Sequence, residues 1–150
     1  MQSVHAYIAG EHGGSEVPLW TSATVGGVPL LQWDDPRRPP LSAAEREGIR
    51  LQVAQAGYEV LRGKGHTNYA IALAIARIIE AVLYDEHHVL PVSSLLTGHA
   101  GISDVCLSVP SVVNRTGVLR TLPVPLSGDE REGLHRSARA VRAVIDQLTL

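Results

Sequence analysis

The spacing of hydrophobic positions changes along the chain, from a period of two to a helical period. Residues 3–9 alternate between apolar and polar side chains, which predicts a half-buried strand. Three glycines within residues 10–14 then predict a tight loop, and strand-like sequence resumes over residues 17–25 and 28–33. Residues 34–40 contain three prolines and four charges, so we expect an exposed loop there.

Helical spacing predicts three helices. Ser42 and Glu45 match a capping box, in which each side chain bonds the other residue's backbone N–H. One apolar stripe is predicted behind this cap: Ile49, Val53, Ala56 and Val60. Residues 68–84 are apolar nearly all round, which predicts a buried second helix, and residues 127–130 repeat the capping-box pattern. The third helix is predicted to carry its apolar residues on one side: Leu134, Ala138, Val141, Ile145 and Leu148.

The region between the second and third helices is strand-like. Residues 88–124 are rich in Val, Leu, Ser and Thr and are broken by glycine and asparagine, which predicts a meander of three short strands. Cys106 alternates with apolar strand positions and is expected to be buried. The order strands, two helices, strands, helix predicts an α+β fold, with antiparallel strands packed with long helices, over a single domain of 150 residues.

Composition narrows the class of protein. A hydrophobic fraction of 45% with 19% charged residues is typical of a globular domain, and a net charge of −2 offers no basic surface for nucleic acid or a membrane. Cys106 is the only cysteine and cannot form an internal disulfide, which fits a reducing compartment. We therefore expect a cytoplasmic protein that binds neither nucleic acid nor a membrane.

Residues 85–88 and His99 are the one grouping that suggests a metal site. Because adjacent histidines point to opposite sides of a strand, His87 and His88 cannot both face one ion, and no third ligand follows at a suitable spacing. The prediction is a solvated loop without a metal.

Residues 11–16 (EHGGSE) place His12 in a glycine-rich turn between two predicted strands. An imidazole both donates and accepts a proton near neutral pH, and flanking glycines let a ligand approach the backbone closely. Taken alone, such a histidine is more often a surface loop residue. The turn makes His12 a candidate general acid and base.

A wider set of residues resembles one family. The chain is similar over almost its whole length to the C-terminal, substrate-binding half of bacterial L-lactate dehydrogenases, and more loosely to the malate dehydrogenases of the same superfamily. The resemblance lies in six segments: 4–13 (VHAYIAGEHG), 15–20 (SEVPLW), 26–30 (GGVPL), 64–71 (KGHTNYAI), 108–110 (SVP) and 126–130 (LSGDE). Residues 15–18 (SEVP) favour the lactate over the malate enzymes.

The resemblance implies the reaction and three site residues. It makes His12 the proton donor and acceptor for the interconversion of pyruvate and (S)-lactate with NAD. Thr67 matches the threonine that contacts substrate, and Ile71 matches the apolar residue near the nicotinamide ring. The residues alone leave other interpretations open, since Thr67 also suits the N-cap of the second helix and Ile71 also suits core packing.

Three further positions carry family expectations. His5 lies seven residues before His12, where a histidine contacts the activator fructose 1,6-bisphosphate in allosteric bacterial enzymes, although it also suits an ordinary cross-strand residue. Tyr58 matches a position phosphorylated in some bacterial relatives, although packing on the first helix is an alternative. Gly14 stands where the family usually has aspartate, which alters the charge of the turn.

The resemblance also implies what lies outside these residues. In the family, the carboxylate that orients the catalytic histidine, the arginine that binds the substrate carboxylate and the NAD-binding Rossmann domain all precede this segment. We therefore expect that the Rossmann domain is absent and that residues 1–150 alone do not turn over lactate. Alternatives are a malate dehydrogenase half, or a non-catalytic folding and oligomerisation module, since family members are homo-oligomers and a tetramer is expected.

Overall fold

The computed structural model describes residues 3–37 and 39–148. The strands are β1 (Val4–His5), β2 (Ile8–Ala9), β3 (Val17–Pro18), β4 (Thr24–Val25), β5 (Val28–Pro29), β6 (His88–His99), β7 (Ile102–Asn114) and β8 (Gly117–Thr121). The helices are a 3₁₀ turn (Leu30–Gln32), α1 (Ala43–Lys64), α2 (Tyr69–Leu83) and α3 (Gly128–Ile145). The predicted α+β fold of antiparallel strands and long helices is confirmed.

The chain divides into two compact units. The first unit comprises the described residues of Met1–Pro40, Pro91–Pro110 and Thr121–Leu150, and the second comprises Leu41–Leu90 and Ser111–Arg120. Strands β6 and β7 contribute residues to both units. No helix within the part of the chain that the structure describes is long and apolar enough to cross a membrane.

The prediction of one continuous strand over residues 3–9 is wrong. Residues 3–9 form two strands of two residues each, because β1 pairs with β4 while β2 pairs with β3. Ala6 and Tyr7 lie between the two strands and belong to neither, so the predicted strand is interrupted there. Val4 and His5 are both exposed, so the alternation of apolar and polar residues at β1 does not correspond to one buried and one exposed face. The stretches predicted over 17–25 and 28–33 are likewise reduced to two-residue strands.

Helix α3 begins where the capping-box pattern predicts. Ser127 Oγ accepts from the Glu130 N–H at 3.2 Å, and the Ser127 N–H donates to Glu130 Oε2 at 2.7 Å. The other carboxylate oxygen of the buried Glu130 accepts from the Thr21 N–H at 2.9 Å. One side chain therefore caps the helix and also joins it to the loop before β4.

The hydrophobic core lies in the first unit, between α3, the short strands β2 and β3, and the hairpin formed by β6 and β7. Its buried members are Ala9, Val17, Leu19, Leu96, Ile102, Val105, Leu107, Val109 and Leu134. Burying a leucine such as Leu134 contributes about 1.5–3 kcal/mol. Gly133 lets α3 approach β3 closely, because a Cβ there would lie 2.9 Å from Val17 Cγ2.

The meander β6–β7–β8 has longer strands than predicted, with 12, 13 and 5 residues. Val105, Leu107 and Val109 face the core, so Cys106 lies on the opposite face and is exposed. The prediction that Cys106 is buried is wrong, because an apolar-rich strand with one buried face still exposes alternate residues.

The second unit contains α1 and α2. Helix α1 starts with the predicted capping box, Ser42 Oγ accepting from the Glu45 N–H at 3.2 Å, and ends at Gly65 with a φ of +78°. The prediction that the second helix is buried is wrong, since Ala81 is the only buried residue within Tyr69–Leu83. The apolar stripe of α1 is exposed as well, and none of Ala43–Lys64 is buried. Hydrophobic spacing predicts that a helix has an apolar face, but it does not predict which residues, if any, of the same chain cover that face.

Candidate active site

Gly10 fixes the start of the turn that carries His12. Its N–H donates to the Ser108 carbonyl at 2.8 Å, and its carbonyl accepts from the Ser108 N–H at 3.0 Å, which bridges the turn to β7. The φ of Gly10 is +103°, and an added Cβ would lie 2.7 Å from Ser137 Oγ. Both the backbone conformation and the close approach of α3 therefore require glycine here.

Glu11 braces the turn in two directions. Its N–H donates to the buried Ser137 Oγ at 2.6 Å, a contact between residues 126 positions apart. Its Oε1 accepts from the Ser15 N–H at 3.1 Å and from Ser15 Oγ at 2.8 Å. Gly13 passes close to this carboxylate, since a Cβ there would lie 2.4 Å from Glu11 Oε2. The turn is thus closed around one side chain and attached to α3.

His12 lies at the bend of this turn and is exposed. Within residues 3–37 and 39–148, its ring makes no hydrogen bond or ion pair, and the neighbouring Glu11 carboxylate is occupied by Ser15. The backbone around His12 is held on both sides while the imidazole is free to meet a ligand. Such an arrangement suits proton transfer to a bound substrate.

Thr67 and Ile71 belong to the second unit, at the start of α2. The N-cap of α2 is Asn68, and no side chain caps it, so the alternative role of Thr67 as the N-cap is wrong. Thr67 is exposed, and Ile71 is 53% exposed, so core packing of Ile71 is also wrong for this chain. Lys64 lies 4.5 Å from the Tyr69 ring centroid, which joins the end of α1 to the start of α2.

The fold, the braced turn and the α2 start can be compared with known proteins. Residues 1–149 match the family model of the lactate/malate dehydrogenase alpha/beta C-terminal domain. The chain belongs to this family. An L-lactate dehydrogenase of Bifidobacterium animalis subsp. lactis is 52% identical over 148 residues, which cover 98% of this chain and 46% of that relative.

Solved structures agree with this membership of the lactate/malate dehydrogenase family. The minor L-lactate dehydrogenase of Enterococcus mundtii in its ligands-bound form superimposes with a TM-score of 0.92 at 36% identity, covering 99% of this chain and 47% of that one. The malate dehydrogenase of Aeropyrum pernix superimposes with a TM-score of 0.86 at 29% identity, covering the same shares. The chain therefore spans about half the length of the relatives it matches.

The structure places the other two family-derived candidates on exposed surfaces of different units. His5 lies in β1, opposite Thr24 of β4, and its ring has no partner within the described ranges. Tyr58 lies on α1, is 66% exposed and borders a surface groove with Gln55, Leu61 and Arg62. Tyr58 therefore lies beside other side chains of its own helix and outside any buried core, while its modification and the activator role of His5 stay predictions.

Gly14, where the family usually has aspartate, lies in open space. A Cβ added to it would meet no atom within 4 Å, and its φ is outside the left-handed region. The packing of this turn therefore leaves room for the aspartate that the resemblance implies at this position.

The loop after α2 forms a hydrogen-bonded network. Among the residues that the structure describes, no group of three His, Cys, Asp or Glu side chains could hold a metal. His87 Nδ1 donates to the Asp85 carbonyl at 2.9 Å, and its Nε2 accepts from the Asn114 amide at 3.2 Å. Asp85 Oδ1 accepts from the Arg115 N–H at 3.2 Å, so this loop is joined to the turn between β7 and β8.

Two residues of the site were assigned no role from the sequence, although one of them, Ser108, lies in the matching segment 108–110. Ser108 and Ser137 hold the His12 turn from β7 and α3, yet the motif that identifies the turn contains neither. A signal for Ser137 exists, because it is a polar residue beside Leu134 and Ala138 on the apolar side of an amphipathic helix.

Proposed function

We propose that this chain is the catalytic, substrate-binding half of an NAD-dependent L-lactate dehydrogenase, which interconverts pyruvate and (S)-lactate. The observation that supports the proposal is the exposed His12 imidazole on a turn braced by Ser108 and Ser137, in a chain of the lactate/malate dehydrogenase family. Residues 1–150 form its C-terminal catalytic domain.

His12 acts on the oxygen of the substrate. When pyruvate is reduced, negative charge grows on the carbonyl oxygen, and protonated His12 polarises that oxygen and then donates its proton to it. In the reverse direction, neutral His12 accepts the hydroxyl proton of lactate. NAD, when bound, supplies or accepts the hydride at the carbon.

Thr67 and Ile71 serve the same reaction from the start of α2. The Thr67 hydroxyl contacts the substrate, and the Ile71 side chain forms an apolar wall near the nicotinamide ring, which keeps water from the hydride. The residues fit these roles because both are exposed on this chain, so neither is used by its own core. Residues of the dinucleotide-binding half hold the rest of the cofactor.

The isolated residues 1–150 do not complete the reaction. The relatives are about twice as long, and the family resemblance implies that the carboxylate that orients His12, the arginine for the substrate carboxylate and the dinucleotide cradle lie in the other half. We propose that the full-length enzyme reduces pyruvate in fermentation after glycolysis and that it works in the cytoplasm. We propose further that it is a homotetramer and that fructose 1,6-bisphosphate activates it by binding at His5.

A fusion tests the acid–base assignment. Residues 1–150 are joined to the dinucleotide-binding half of the Bifidobacterium relative, and pyruvate-dependent NADH oxidation is measured. The fusion is expected to be active and the 150 residues alone inactive, with His12→Asn lowering kcat/KM by about 10²–10⁴-fold. His88→Asn, an exposed histidine of the second unit, is the matched control. A folded His12→Asn fusion with full activity would contradict the proposal.

The same fusion tests the activator site. Fructose 1,6-bisphosphate is expected to lower the pyruvate KM, and His5→Gln is expected to remove that response while leaving turnover without activator unchanged. A response that survives in His5→Gln would assign the activator to other residues.

A malate dehydrogenase half is the second candidate, favoured by the TM-score of 0.86 against the Aeropyrum pernix enzyme. Parallel fusions to a lactate-type and a malate-type dinucleotide half distinguish the two, because each fusion is assayed with its own keto acid. Higher kcat/KM in the malate-type fusion would favour the second candidate.

A non-catalytic assembly module is the third candidate, favoured by the exposed apolar side chains of α1 and α2. Sedimentation of the chain is expected to show self-association that Leu73→Glu weakens. Leu148→Glu is the control, because Leu148 is also exposed but follows α3. Association together with an inactive fusion would support this candidate over the enzyme.

A further inference from the structure

We propose that Ser137 of α3 is a positioning residue for His12, acting through the backbone of Glu11. The inference rests on the proposed acid–base role of His12. The Ser137 side chain is fully buried, and its Oγ accepts from the Glu11 N–H at 2.6 Å. Glu11 immediately precedes His12, so a movement of this amide moves the backbone from which the imidazole extends.

The contact is one side of a clamp. On the other side, the backbone of Gly10 exchanges two hydrogen bonds with Ser108 of β7, at 2.8 and 3.0 Å. The same Ser137 Oγ lies 2.7 Å from the position that a Cβ on Gly10 would occupy. The chain thus passes between β7 and α3 with no room for a side chain at Gly10, and it reaches His12 two residues later.

The clamp attaches the turn to the rest of the first unit, which the turn's own hydrogen bonds do not do. The Glu11 carboxylate closes the turn internally on Ser15 but does not attach it to the rest of the first unit. The His12 ring has no partner of its own within residues 3–37 and 39–148. The position from which the imidazole extends is therefore set by the backbone, and α3 holds that backbone through the Ser137 hydroxyl.

Replacing the hydroxyl affects turnover more than substrate binding. Ser137→Ala removes one oxygen and leaves the Glu11 N–H without its acceptor, so the turn can shift while the core stays packed. Because a misplacement of about 1 Å can cost on the order of 100-fold in rate, we expect kcat of the active fusion to fall by about tenfold or more. The KM for pyruvate is expected to change by less than about twofold, since uniform binding is not removed.

The control for loss of a hydroxyl acceptor is Ser103→Ala, at an exposed position. Ser103 Oγ also accepts from a backbone N–H, that of Gly98 at 2.9 Å, in the same unit but in the β6–β7 hairpin. Its loss is expected to leave kcat unchanged. A fall in kcat of equal size in both variants would overturn the proposal, because it would reflect a general loss of stability.

A second measurement on the 150-residue chain does not depend on activity. In NMR spectra, the His12 ring is expected to give one set of resonances in the unaltered chain and in Ser103→Ala, and shifted or multiple resonances in Ser137→Ala. An unchanged His12 ring in folded Ser137→Ala would overturn the clamp. If Ser137→Ala does not fold, hydrogen exchange of the unaltered chain tests the clamp instead. A Glu11 amide that exchanges as fast as an unbonded loop amide would contradict the clamp.

These readouts separate the two proposals. An inactive wild-type fusion, or a His12→Asn fusion with full activity, contradicts the acid–base role of His12, while the NMR comparison still tests the clamp. An active fusion with unchanged kcat in Ser137→Ala contradicts the clamp alone.

Discussion

The two compact units use their apolar side chains in opposite ways. The first unit buries Leu96, Leu107 and Leu134 almost completely in one core. In the second unit Ala81, Val112 and Val113 are buried, but most apolar residues of α1 and α2 lie at the surface, with Leu73 72% exposed. The first unit is thus stabilised by its own core, whereas the second presents surface that a partner or the remainder of a longer protein would cover.

The largest expected effect is the difference between two leucines. Leu134→Ala empties part of the first unit's core and is expected to lower the free energy of unfolding by about 2–5 kcal/mol. Leu73→Ala on α2 is expected to change it by less than about 0.5 kcal/mol in the isolated chain. Urea unfolding of both variants measures the contrast. Equal losses would show that Leu73 is buried in solution.

Two glycines of the first unit, Gly10 and Gly14, are expected to differ in how well they tolerate a side chain. Gly10→Ala places a side chain at a φ of +103° and against Ser137, so a loss of about 1–3 kcal/mol is expected from strain alone. Gly14→Asp meets no atom within 4 Å and is expected to stay within about 0.5 kcal/mol. Thermal unfolding compares the two, and a larger loss in Gly14→Asp would contradict the rigid turn.

The two capping boxes differ in burial. Glu130→Ala removes a buried carboxylate and leaves the Thr21 N–H unpaired, which is expected to cost about 1–3 kcal/mol. Glu45→Ala removes the exposed counterpart in α1 and is expected to cost about 0.5–1 kcal/mol. Chemical unfolding distinguishes them. Similar costs would show that the link from α3 to the loop before β4 adds nothing.

The smallest effect is a dependence on pH. Burial lowers the pKa of the His99 ring below its ordinary value of 6.5. The folded chain then binds fewer protons than the unfolded chain, so stability is retained above pH 6.5 and falls as pH drops through the lowered pKa. His99→Gln is expected to reduce this fall in Tm between neutral and mildly acidic pH, with His88→Gln as the control. An identical pH profile in His99→Gln would contradict it.

The helix caps and the His12 turn could be predicted because the residues that form each of them are close together in the sequence. Ser42 with Glu45 and Ser127 with Glu130 cap their helices within four residues, and both helix starts were placed correctly. The turn around His12 was identified from its own glycines and the family resemblance. The start of α2 shows the limit of such reasoning, since Thr67 and Asn68 both suit a cap and only the backbone shows that Asn68 occupies it.

The helices, the α+β class and the motif around His12 could be read from the amino-acid order, because hydrogen bonds and side-chain spacing within a few residues specify them. Which apolar faces are buried, and how the His12 turn is held, depend on contacts between residues that are far apart along the chain. The hydrogen bond between Glu11 and Ser137 joins residues 126 positions apart, and no local pattern encodes such a pairing. It arises because α3 packs on the core through Leu134 and brings the Ser137 hydroxyl to Glu11.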